Sequence, residues 1–142
     1  MRYAIIEDGK IMGFREIPDE DIKIIAHYRK TETLVEAGDN IQADSHYYTD
    51  GTFREIPERP SPYHEWIPAT KSWMLDDVRA WRDIRGRRDK LLSESDWAIL
   101  PDVPLSEEQK AEVKTYRQAL RDITEQPDPL NIEWPEKPEV IK

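Results

Sequence analysis

An α+β fold is predicted: short N-terminal β-hairpins, then an antiparallel αα-hairpin, then an extended proline-rich tail. Three observations carry that expectation. Two Asp-Gly dipeptides stand between short apolar or aromatic runs, apolar residues recur at helical spacing from Leu75 onward, and prolines gather in two groups. Pro57, Pro60, Pro62 and Pro68 punctuate the middle of the chain, and Pro127, Pro129, Pro135 and Pro138 its end. The expected divisions are a hairpin-rich module over 1–74, a helical hairpin over 75–125 and a tail over 126–142.

The strands come first. Asp8-Gly9 separates Tyr3–Glu7 from Ile11–Ile17, and Asp50-Gly51 separates His46-Tyr47-Tyr48 from Thr52–Ile56. Asp-Gly tolerates the positive φ angles of a type I′ turn, the connection that suits a tight hairpin. Phe14-Arg15-Glu16-Ile17-Pro18 recurs as Phe53-Arg54-Glu55-Ile56-Pro57, a strand tapering into a proline stop in each copy. Five residues are too few to establish a duplicated module. Ile22, Ile25 and Ala26 allow one short helix within Asp19–Arg29. A third hairpin is expected around Pro68-Ala69-Thr70-Lys71, with Trp66 and Trp73 facing one another across it.

The helices follow. Leu75, Val78, Trp81, Ile84, Leu91 and Leu92 are assigned to one face of a first helix, with Asp76 and Asp77 in its first turn. Gly86 in its middle costs about 1 kcal/mol relative to Ala. Ser106-Glu107-Glu108-Gln109 has the pattern of a capping box opening a second helix. Val113, Tyr116, Leu120 and Ile123 then form a single apolar stripe, and two such stripes pack as a hairpin. In the tail, Leu130, Ile132 and Trp134 alternate, as side chains docking on one surface would.

Composition narrows the function. Thirty acidic against 21 basic residues give a net charge of −9, which disfavours a phosphate-backbone binder and docking on anionic lipid. No apolar run approaches a membrane span, and Glu7-Asp8 interrupts the opening residues too early for a signal peptide. A soluble intracellular product is expected. The chain has no cysteine, hence no thiol nucleophile or thiolate metal site. At 36 % charged residues disorder must be weighed, but 13 aromatic residues supply the burial that disordered chains lack.

Catalysis finds little support. His27, His46 and His64 show no metal-ligand spacing, and His46 with Asp44 is better explained as loop polarity. No glycine-rich phosphate cradle is present, and Ser93-Glu94-Ser95-Asp96 fits helix termination better than a nucleophile lacking a base. Acidic groups such as Glu7-Asp8 and Asp19-Glu20-Asp21 fall in turns. No enzyme activity, cofactor or metal is expected. The basic run Arg79, Arg82, Arg85, Arg87, Arg88 and Lys90 is interspersed with Asp76, Asp77, Asp83 and Asp89, as on a solvated face. Arg88 stands apart because it falls between Ile84 and Leu91-Leu92. It is expected to pair across the hairpin with Asp96 or Asp122, since an unpaired buried charge is very costly.

Nine of the 13 aromatics lie in the first 74 residues, on short strands with open edges. Tyr47, Tyr48, Phe53, Tyr63, Trp66 and Trp73 are therefore the expected partner-binding surface. The alternative is that these rings pack between the two halves.

The helical half resembles a known family. Arg85, Arg88-Asp89-Lys90-Leu91-Leu92, Ser95-Asp96-Trp97, Leu100-Pro101-Asp102 and Tyr116-Arg117-Gln118-Ala119-Leu120-Arg121-Asp122-Ile123 are similar to the tail assembly chaperones of tailed bacteriophages and prophages. The resemblance covers about half the chain, roughly Val78 to Pro138, and continues through Gln126-Pro127 to Trp134-Pro135. It marks Arg88, Leu92, Asp96, Trp97, Tyr116, Leu120 and Asp122 as structural motif residues. It implies a phage tail-fibre or other tail protein as partner, no nucleic acid or membrane, and action in the host cytoplasm during assembly. Self-association stays open. So does a second reading, a structural component kept in the mature tail as an adaptor or fibre subunit. An acidic DNA mimic is disfavoured because the acids alternate with bases.

Overall fold

Positive φ angles at Asp8 (47°) and Gly9 (79°), and again at Asp50 (51°) and Gly51 (77°), close the two expected type I′ hairpins. The computed structural model describes residues 1–21 and 33–142. The chain divides into two units, Met1–Leu75 and Asp76–Lys142. Together they give a mixed α and β fold, with short antiparallel strand pairs and two helices.

In the first unit, β1 (Arg2–Glu7) pairs on one side with β2 (Lys10–Glu16) and on the other with β3 (Thr33–Glu36), both antiparallel. Both sheet faces are covered. Ala4 and Ile6 cluster with Ile11 and Ala37 on one side, while Tyr3 meets Ile17 and Leu34 on the other. A register shift at Ile5/Ile6 leaves Met12 without a partner on β1, and Met12 is exposed. β4 (His46–Thr49) and β5 (Thr52–Glu55) form the second hairpin. It is tied to the first where the Tyr48 amide donates to the Gly9 carbonyl at 2.9 Å. A side chain at Gly9 would crowd the Tyr48 carbonyl oxygen, at 3.0 Å from the added carbon, so glycine serves both the turn and this approach. β6 (His64–Ile67) and β7 (Ser72–Leu75) form the third hairpin. The two copies of the five-residue repeat end as expected, β2 and β5 stopping two residues before their prolines. Most of the short helix expected within Asp19–Arg29 lies outside the described residues, and Asp19–Asp21 form one 3-10 turn.

In the second unit, α1 (Asp77–Glu94) starts one residue after Asp76, whose carboxylate caps it by accepting from the Arg79 amide at 3.0 Å. The expected apolar face needs correction at its start. Leu75 ends β7, and Val78 is 74 % exposed. The buried positions are Ala80 and Ile84, with Leu91 and Leu92 packed on the core. At about 100° per residue, Leu75 would lie roughly 180° around the helix from Ile84. Each step of three drifts by about −60°, and only intervening steps of four, at about +40°, offset it.

A short turn, Asp96–Ile99, precedes α2 (Glu107–Arg121). The capping box is complete: the Gln109 amide donates to Ser106 Oγ at 3.1 Å, and the Ser106 amide to Gln109 Oε1 at 2.9 Å. Val113, Tyr116 and Leu120 are buried along α2, and Ile123 just beyond it. The last residues close this core from outside the helices, with Ile141 buried and Trp134 and Val140 packed against it. Leu130, at the head of the alternating trio, is exposed.

Candidate functional site

The β4–β5 and β6–β7 hairpins carry Tyr47, Tyr48, Phe53, Trp66 and Trp73. Trp66 and Trp73 are directly opposite in register, their rings 5.5 Å apart at 70°. Tyr47 lies 5.0 Å from Trp66, and Tyr48 packs on Phe53 at 5.1 Å. Such tilted contacts match the positive ring edge of one partner to the negative face of the other. Trp73 donates its ring N–H to the Pro57 carbonyl at 3.0 Å, whereas Trp66 Nε1 is buried without a partner. A cavity of about 210 Å³ adjoins Tyr47, Trp66 and Trp73, and Lys10, Asp44 and Glu65 line it as well. In the turns above, the Lys71 ammonium is 3.0 Å from Asp50 and holds that carboxyl below its usual pKa.

Of the six aromatic residues expected on an exposed surface, none is fully exposed. Tyr47 is buried at 8 %, and Tyr48, Phe53, Tyr63, Trp66 and Trp73 are half-buried. Paired strands let the rings cover one another in part: Tyr47 is core, and the other five keep some of their surface accessible. Sequence alone offered no signal for Met12 and Met74, which are 54 % and 55 % exposed.

The second unit holds its helices with a polar clamp. Arg117, only 9 % exposed on α2, sends Nη1 to the Leu92 carbonyl at 2.6 Å and to Ser95 Oγ at 2.7 Å. Its Nη2 reaches Asp96 Oδ1 at 2.9 Å. Ser95, fully buried, donates its hydroxyl to the Leu91 and Leu92 carbonyls at the end of α1. These contacts satisfy carbonyls that a helix end leaves open.

The pairing expected of Arg88 is therefore a correction. Arg88 meets its neighbour Asp89 at 2.8 Å, Arg117 takes Asp96, and Asp122 accepts from Gln118 Nε2 at 2.8 Å. Arg88 lies near the buried face, but its long stem carries the charge out to the edge, where an adjacent acid suffices. Among the other motif residues, Tyr116 and Leu120 are core, Leu92 packs on them, and Trp97 is 45 % exposed. Burial pushes the Tyr116 hydroxyl above its usual pKa. Arg87 stacks over the Trp134 ring at 4.2 Å, and Lys137 reaches Glu94 at 3.3 Å, pinning the last segment to α1.

Among the described residues, no three His, Asp or Glu side chains gather as a metal site requires. Nor is any helix there long and apolar enough to cross a membrane. Residues 76–139 match the family model described as phage tail assembly chaperone protein. The match covers nearly all of the second unit and supports a general role in tail assembly. No curated protein and no solved structure matches the chain.

Proposed function

We infer that this protein is a phage tail assembly chaperone, holding a tail or tail-fibre protein in the host cytoplasm until it is built into the virion. The match over 76–139 carries this reading. In the first unit, the half-buried rings of Tyr48, Phe53, Tyr63, Trp66 and Trp73 offer the contact surface. Aromatic side chains supply large apolar area to such surfaces. Buried Tyr47 packs against the Trp66 ring.

Co-expression with tail and tail-fibre proteins of the same phage tests it. Tyr48→Ala and Trp66→Ala are expected to abolish co-purification while far-ultraviolet circular dichroism stays native. If both variants unfold, the rings are core and the contact surface lies elsewhere. A chaperone is also expected to be absent from purified mature particles. Its stoichiometric presence there would make it a structural component of the tail instead.

A further inference from the structure

A groove of about 610 Å³ runs between α2 and the last segment of the second unit. Its floor is Ala111, Thr115 and Ala119, at steps of four along one face of α2, with Pro135 and Pro138 forming the opposite wall. Eight residues of helix make it about 12 Å long. Ala111 and Thr115 are exposed, so small side chains leave this stretch of helix open to close approach.

Two properties specify what fits. The first is charge: Glu112, Glu136 and Glu139 line the groove, and Lys137 is its one lining cation. Lys137 is already turned to Glu94, Lys142 pairs with Glu136 and Glu139, and Glu112 has no ion pair among the described residues. The second is the lack of backbone partners. The floor is helix, with its amides bonded internally, and the proline wall has no N–H at Pro135 or Pro138. An extended peptide would leave its own backbone unpaired there, whereas a helix satisfies its backbone internally and inserts large apolar side chains over the alanines.

We propose that the groove between α2 and the Pro135–Pro138 segment docks a basic amphipathic helix of a partner protein. Its apolar face lies on Ala111, Thr115 and Ala119, and its Lys or Arg residues face Glu112 and compete with Lys142 for Glu136 and Glu139. This site is separate from the aromatic surface and does not depend on the tail-assembly reading.

The test uses the full chain and a fluorescein-labelled Leu/Lys peptide that forms an amphipathic helix of about five turns. The peptide is expected to bind, more weakly as salt is raised. The double variant Ala111→Trp/Thr115→Trp should weaken binding by about tenfold or more, some 1.4 kcal/mol. Glu112→Gln should weaken it severalfold, while Asp83→Asn, an equal charge change on an exposed position of α1, should not. A Leu/Glu helix, and an extended Pro/Lys peptide of equal charge to the Leu/Lys one, should not bind comparably. In native protein, amide shifts on titration should centre on residues 111–119 and 135–139, a readout that needs no variant. The proposal is overturned if the Leu/Lys peptide does not bind, or if the tryptophans leave its affinity unchanged. It also fails if either control peptide binds as well, or if the shifts fall outside the groove. A dimer without peptide that Ala111→Trp disperses would assign the groove to a second copy of the chain, and equally overturn it.

Discussion

Arg117 shows what a single residue carries in this fold, and how a sequence conceals it. From α2 it reaches the Leu92 carbonyl, Ser95 and Asp96, and so joins the end of one helix to the middle of the other. Arg117→Ala is expected to lower unfolding stability by about 1.5–3 kcal/mol, the range for hydrogen bonds made by a charged group. Asp96→Ala should cost about 0–1 kcal/mol, because that carboxylate is largely in water. Arg117→Lys should recover little, since an ammonium cannot span the three acceptors as the guanidinium fork does. Chemical denaturation of the three variants checks the ordering. A part-buried arginine paired across the hairpin with Asp96 or Asp122 was expected from sequence, but Arg88 was the wrong arginine, and Arg117 takes Asp96. Arg88 and Arg117 both neighbour apolar stripe positions. Only the approach of the helices decides which guanidinium faces the open carbonyls of α1.

Elements whose signals are local were legible. The Asp-Gly turns, the Trp66–Trp73 pairing and the Ser106–Gln109 box each depend on residues within a few positions of one another, so sequence spacing nearly determines their geometry. The face of α1 was legible only from Ile84 onward. Its first turn is set by the Asp76 cap and by Leu75 belonging to β7, which apolar spacing does not reveal. Gly86 gives a prediction at this scale. It lies inside α1 without a positive φ, and an added methyl would meet nothing within 4 Å. Gly86→Ala is therefore expected to raise stability by about 0.5–1 kcal/mol, the helix-interior penalty of glycine, read as a higher melting temperature. A lower melting temperature would mean that something packs at that position.

At the scale of the molecule, the aromatic content of the first unit was legible, but the mutual covering of its rings was not. That covering arises from the placement of one hairpin beside another, which no local pattern encodes. The same holds for the C-terminal segment. Its prolines forecast extended chain, yet Trp134, Val140 and Ile141 are what close the core over Tyr116 and Leu120. Residues 76–142 expressed alone are expected to unfold in one cooperative transition. The same piece ended at Gln126 should lose that cooperativity, since burial of each large side chain contributes about 1.5–3 kcal/mol. Calorimetry of the two pieces distinguishes them. The three hairpins of the first unit have a kinetic consequence. Each joins strands separated by two to four residues, and such closures take about 1–10 μs. β3 instead meets β1 across the greater sequence separation from Glu7 to Thr33, which carries a larger closure entropy. Among the described pairings, the hairpins therefore form early, and the slow step is the arrival of β3, which completes the sheet.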